Sequence, residues 1–169
     1  MQYTSSEANK LLRKLKEEKD AILLREKQCA TFQAALGEDV ESVRPEYNYA
    51  SVQEELKELD RKIRVVKHAI NCFNISHTVP ELEMTVDEVL VYIPQLTLKR
   101  QKLFQMKSRL PKQREHAMFS HNSPIIDYMY ANYDIRMVQE EFERVTEELT
   151  QAQTALDVLN NTQKMEIIF

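Results

Sequence analysis

A mainly α-helical fold, four long amphipathic helices with a small β element, is what this sequence predicts, and three observations carry that expectation. The 169 residues include one glycine and five prolines, so tight turns are scarce and long helices are the natural solution. Apolar residues recur every three or four positions along most of the chain, the spacing of a single helix face. Only REHAMFSHNSPIIDYMYANYDI, Arg114 to Ile135, departs from that rhythm and alternates instead. The length suits one helical domain over residues 1–169, enough to bury a core.

The first helix opens at Thr4, which with Glu7 forms a capping box. Ala8, Leu15, Ile22, Cys29 and Leu36 then recur at heptad spacing, with Leu11 and Phe32 between them and Glu18 and Arg25 breaking the seam. Gly37 stands where a left-handed terminator belongs, so a helix over about 5–36 is predicted, roughly 45 Å long. Cys29 reads as a small core residue, and with Cys72 it is one of only two cysteines, too few for a disulfide framework.

The second helix, about 48–73, follows a strict three-four alternation through Tyr49, Val52, Leu56, Leu59, Ile63, Val66, Ile70 and Phe73. Asn48 is its expected N-cap and Asn74 its left-handed end. The third, about 86–110, begins with a second capping box, Thr85 to Glu88. Its stripe is Val86, Val89, Ile93, Leu96, Leu103 and Leu110, interrupted by Arg100 and Lys107, with a kink expected at Pro94. The fourth, about 134–160, has the pattern Ile135, Val138, Phe142, Val145, Leu149, Ala152, Leu156 and Leu159. Narrow seams sustained over several heptads favour coiled-coil-like hairpins or a bundle. They bury little area per helix, which points to a homo-oligomer.

The alternating stretch predicts a β-hairpin over about 114–130, turning at Ser120–Pro124 and placing Ile126, Tyr128 and Tyr130 on one face. A lone hairpin is marginal in water. The C-terminal KMEIIF, with Met165, Ile167 and Phe169 alternating, offers it a third strand. Ile126, Tyr128, Tyr130, Ile167 and Phe169 are therefore the expected assembly residues. His116, His121 and Asp127 are metal-ligand candidates if the hairpin draws them together, although they lack a fixed ligand spacing.

No nucleophile-base pair, paired-carboxylate motif or glycine-rich phosphate loop is present, so neither an enzyme nor a cofactor is expected. The net charge of −4 argues against a general nucleic-acid binder. A basic patch does exist (Lys99, Arg100, Lys102, Lys107, Arg109), facing a strongly acidic fourth helix with which pairing is expected. Gripping nucleic-acid phosphates with the basic segment 97–116 is the alternative. MQYTSSE carries no apolar run of the signal-peptide kind and no window suits a bilayer span, so a cytoplasmic chain without membrane contact is predicted.

The segment INCFNISHTVPELEMTVDEVLVYIPQLTLKRQKL and the ending LDVLNNTQKMEI resemble a family of small uncharacterised bacterial helical proteins, some labelled septicolysin-like. The resemblance covers about a quarter of the chain and implies a fold; it carries over no functional residue. In architecture, long terminal helices joined through β-hairpin material resemble prefoldin-type chaperone subunits. The functional expectation is a structural or protein-interaction protein that self-assembles through its seams and β element, with a prefoldin-like holdase as the alternative.

Overall fold

The structure, a computed structural model, describes residues 1–114 and 127–169. In chain order its elements are β1 (Gln2–Thr4), α1 (Ser5–Cys29), α2 (Val40–Val43), α3 (Tyr49–Ser76), β2 (Thr78–Val79), β3 (Met84–Thr85), α4 (Val86–Lys107), β4 (Lys112–Arg114), β5 (Tyr128–Tyr130), α5 (Ile135–Thr162) and β6 (Lys164–Glu166). The fold is mainly helical with small antiparallel strand pairs, as the periodicity predicts. Two compact units divide it, one of Met1–His77 with Val158–Phe169 and one of Thr78–Asp157. Among the described residues no helix is long and apolar enough to cross a membrane.

In the first unit α1 and α3 run antiparallel, since Lys19 meets Asp60 while Glu26, further along α1, meets Gln53, earlier in α3. Both predicted starts hold: Thr4 and Glu7 close a capping box, and the Asn48 side chain accepts from the Ser51 N–H at 3.1 Å. The α3 seam is well covered from Leu56 to Phe73, whereas Tyr49 is exposed. On α1 burial is confined to Ser5, Ala8 and Leu15.

Three helix ends differ from the sequence expectation, the third being α4, which closes at Lys107 and leaves Leu110 exposed beyond it. α1 stops at Cys29 rather than Leu36. Phe32 instead packs under the Arg44 guanidinium, 5.3 Å from its ring, and Leu36 is fully exposed. Gly37 does take a left-handed φ of 88°, but in the turn that bonds Glu38 N–H to the Ala35 carbonyl. α3 runs past Asn74 to Ser76, and its end is closed by His77, whose ring stacks on Phe73 with centroids 4.0 Å apart.

The C-terminal strand is a correction. β6 pairs with β1, Tyr3 opposite Met165, rather than with the 114–130 hairpin. The partner was available only because the first three residues extend. The terminal amine of Met1 donates to the Ile167 carbonyl at 3.0 Å, and the Ile167 N–H donates back to Met1 at 2.9 Å. Ile167 is thereby closed into the first unit, 2% exposed.

In the second unit α4 and α5 form an antiparallel hairpin around Leu96, Leu103, Val138, Val145, Leu149 and Ala152. α4 begins with the expected Thr85–Glu88 capping box and continues unbroken through Pro94. A two-residue ribbon, β2 with β3, precedes it; its turn places Glu83 at φ 53°. At the other end of α4, β4 and β5 pair with Arg114 opposite Tyr128 and Lys112 opposite Tyr130, which is the stem of the predicted hairpin. Its tip lies outside the described residues.

Candidate functional site

The α4–α5 hairpin has two unlike flanks, and the sequence of α4 sets them apart. Tyr92 and Lys99, one heptad apart, share one row of the helix. Leu90, Thr97 and Phe104 share another, about 160° around at 100° per residue.

The Tyr92 flank is latched by polar groups. The Tyr92 hydroxyl donates to Glu148, and Lys99 Nζ sits 2.6 Å from Glu141 Oε1. Arg144 adds a bidentate grip on Glu141, at 2.7 and 2.8 Å, and reaches Glu148 at 3.8 Å. The Arg144 guanidinium and then the Lys99 ammonium hold the Glu141 carboxyl down to about 2, against an ordinary 4.5. The Tyr92 phenol is pushed upward by its bond to Glu148.

The Leu90 flank is open. A hollow of about 570 Å³ is lined by Leu90, Ile93, Pro94, Gln153, Leu156 and Asp157. A second, of about 420 Å³, lies further along α4 between Thr97, Arg100, Gln101, Phe104 and Phe142. Leu90 and Phe104 are 46% and 55% exposed, high values for large apolar side chains at the rim of a core. Phe104 leans on Phe142 with centroids 6.1 Å apart. Lys107, which breaks the apolar stripe, lays its ammonium 3.8 Å from the Phe142 centroid, so its stem packs while its charge stays at the rim. On α5 the Thr146 and Thr150 hydroxyls donate to the Phe142 and Thr146 carbonyls at 2.7 and 2.9 Å, spending their protons within the helix. The flank is thus largely uncharged, with cations (Arg100, Lys107) toward one end and Asp157 at the other.

The residues singled out in the sequence fall in both units. Tyr128 and Tyr130 are exposed on β5, and Lys112 stands over both rings at 4.1 and 5.4 Å. Met129 receives an N–H from Arg109 at 3.5 Å. Phe169 is exposed, whereas Ile167 is buried in the first unit's core. Ile126, His116 and His121 lie outside the described residues; Asp127 is exposed. Among the described residues no three His, Cys, Asp or Glu side chains cluster as metal ligands. The basic residues of α4 do not form a track: Lys99 and Lys102 fall toward one side, Arg100 and Lys107 toward another.

The open flank is masked in the sequence by the narrow stripe of the seam beside it. The signal was there in Leu90, Thr97 and Phe104, a second row at heptad spacing beside Ile93, Arg100 and Lys107.

No family model matches this chain, and no curated protein does. Among solved structures, a functionally unknown conserved protein from Corynebacterium diphtheriae is similar at 18% identity with a TM-score of 0.67, covering 98% of this chain and 100% of that one. That likeness shows the fold: a bacterial protein shares the architecture over its whole length. The septicolysin-like resemblance rests on its two sequence segments alone.

Proposed function

We propose that this chain is an assembly protein: a helical interaction module that holds protein surfaces together, beginning with copies of itself. One observation carries the reading. The α4–α5 hairpin fills its seam and latches one flank with ion pairs, yet leaves the other flank apolar and open, with Leu90, Phe104 and Phe142 around it. In a chain with 30% charged residues, a face this apolar, with its charges near the ends, suits docking better than solvation. The role is one of holding and calls for no bond-making chemistry. The divided placement of Arg100 and Lys99 around α4 favours it over a phosphate-binding role, which would want the cations along one side. Absolute mass by light scattering on a sizing column tests the reading. A dimer or larger species supports it; a monomer at all concentrations up to roughly 100 µM, well above the dissociation constants of stable assemblies, sinks it.

A second reading, the holdase, is favoured by the exposed Tyr128, Met129 and Tyr130 on β5, which could take up unfolded segments. It predicts that the protein slows aggregation of a heated client and that Tyr130→Ser weakens this. Unchanged client aggregation at equimolar protein removes it.

A further inference from the structure

We infer that the open flank of the α4–α5 hairpin seats the same flank of a second copy, antiparallel, about a two-fold axis passing at Thr97. The inference rests on the self-assembly reading above and names its surface and geometry.

The row on α4 is self-complementary. Leu90 and Phe104 each lie seven residues from Thr97, so an antiparallel copy sets Leu90 of one chain over Phe104 of the other at both ends and Thr97 over Thr97 at the centre. A small residue at the crossing allows the helices to approach, while the larger pairs close the hollows on either side. Leu90 belongs to one hollow and Phe104 to the other, so each hollow receives a side chain of the size that bounds its counterpart.

Charge selects the direction. Lys107 stands at one end of the flank, with Arg100 between it and Thr97. Asp157 stands at the other, beside Leu90. Antiparallel seating brings the cationic end of each copy to the anionic end of its partner, twice by symmetry. Parallel seating would set Arg100 and Lys107 against themselves. Lys107 lies ten residues beyond Thr97, about 15 Å along the axis, which carries it one turn past the partner's Leu90, at the rim of the hollow that Asp157 lines. The product is a four-helix arrangement of two hairpins, whose polar latches, Lys99 with Glu141 and Tyr92 with Glu148, stay on the outside.

The test uses the full chain carrying Cys29→Ser and Cys72→Ser, with helicity checked by circular dichroism for every variant. Thr97→Cys, on the axis, should give a covalent dimer on diamide oxidation in high yield. Gln95→Cys, about 160° around α4 from Thr97, should give little. Lys107→Glu or Asp157→Lys alone should weaken dimerisation roughly tenfold, and the two together should restore it, because the pair is then reversed rather than broken. A dimer in light scattering with no Thr97→Cys cross-link, or with equal cross-linking at Gln95→Cys, overturns the geometry and leaves self-assembly standing. A monomer overturns both. Double charge reversal that weakens dimerisation additively overturns the antiparallel direction.

Discussion

The α1–α3 and α4–α5 hairpins are both antiparallel helix pairs with heptad spacing, yet they hold themselves in different ways. α5 buries a residue at nearly every seam position from Val138 to Leu159. α1 buries nothing beyond Leu15, although its heptad row continues through Ile22 to Cys29. Glu18 and Arg25 occupy the seam positions between, and no two-helix unit can cover them. Polar clasps take over there: Lys19 Nζ lies 2.6 Å from Asp60, and Glu26 accepts from Tyr47 at 2.8 Å and Gln53 at 2.9 Å. The Tyr47 phenol is pushed up to about 12 by that bond to Glu26. The surfaces differ accordingly. The hollow beside α1 is ringed by Glu54, Glu55, Glu58 and Lys62, whereas those beside α4 are largely uncharged. Heptad spacing therefore fixes which residues line up, and the chemistry at the alternate positions fixes whether they are buried.

The sharpest way to break this contrast is a charge in each seam. Val145→Asp, at a site with no exposure, should cost roughly 4 kcal/mol or more and unfold the second unit, because the carboxylate finds no partner there. Ile22→Asp, at a half-buried site, should cost about 1–2 kcal/mol and leave helicity intact. Equal losses in urea unfolding followed by circular dichroism would mean that α1 is held by its seam after all.

Truncation should reproduce the difference at lower amplitude. Leu149→Ala should lose roughly 2–5 kcal/mol. Leu24→Ala, exposed on α1, should stay within about 0.5 kcal/mol. A Leu24→Ala loss as large as that at Leu149 would reveal packing that the hairpin does not contain.

Acid separates the two hairpins by where their carboxylates point. Glu141 and Glu58 are both held down to about 2 from an ordinary 4.5. A depressed carboxyl adds stability above its unfolded value, and that stability is lost as the pH falls from 4.5 toward 2. Glu141 joins α5 to α4 through Lys99, whereas Glu58 bonds Arg61 and Lys62 of its own helix. Glu141→Gln should therefore flatten the acid dependence of the urea midpoint more than Glu58→Gln does. The reverse ranking would contradict a latch between α4 and α5.

A small effect is also expected at the α1–α3 clasp. Asp60→Asn should cost only about 0.2–1 kcal/mol and less at high salt, since both partners are partly exposed. A salt-independent loss would point to a geometric role for the pair.

Much of this was legible in the chain itself. Thr4 with Glu7, Thr85 with Glu88 and Asn48 mark helix starts because the groups that satisfy the free N–H lie within three residues. The α5 seam could be read residue by residue, since its three-four spacing runs without a charged interruption. The stops were harder. Gly37 is left-handed as anticipated, but Phe32 found Arg44 and the helix had already ended. Asn74 was passed over because His77 could stack on Phe73 one turn later. The candidate site was the least legible part: Lys99, Arg100, Lys102 and Lys107 are close in sequence, but helical geometry sends them to different sides, and Arg109 lies past the end of α4.

By itself the sequence determined the four long helices, their starts and the apolar row each carries, because capping and periodicity act over a few neighbouring positions. The tertiary structure alone decided that β6 pairs with β1, and that Ile167 is buried rather than displayed. It also left one flank of α4 latched and the other open. Those outcomes depend on which groups meet across long stretches of chain, as Met1 and Ile167 do at 166 positions apart, and no local pattern encodes such a meeting.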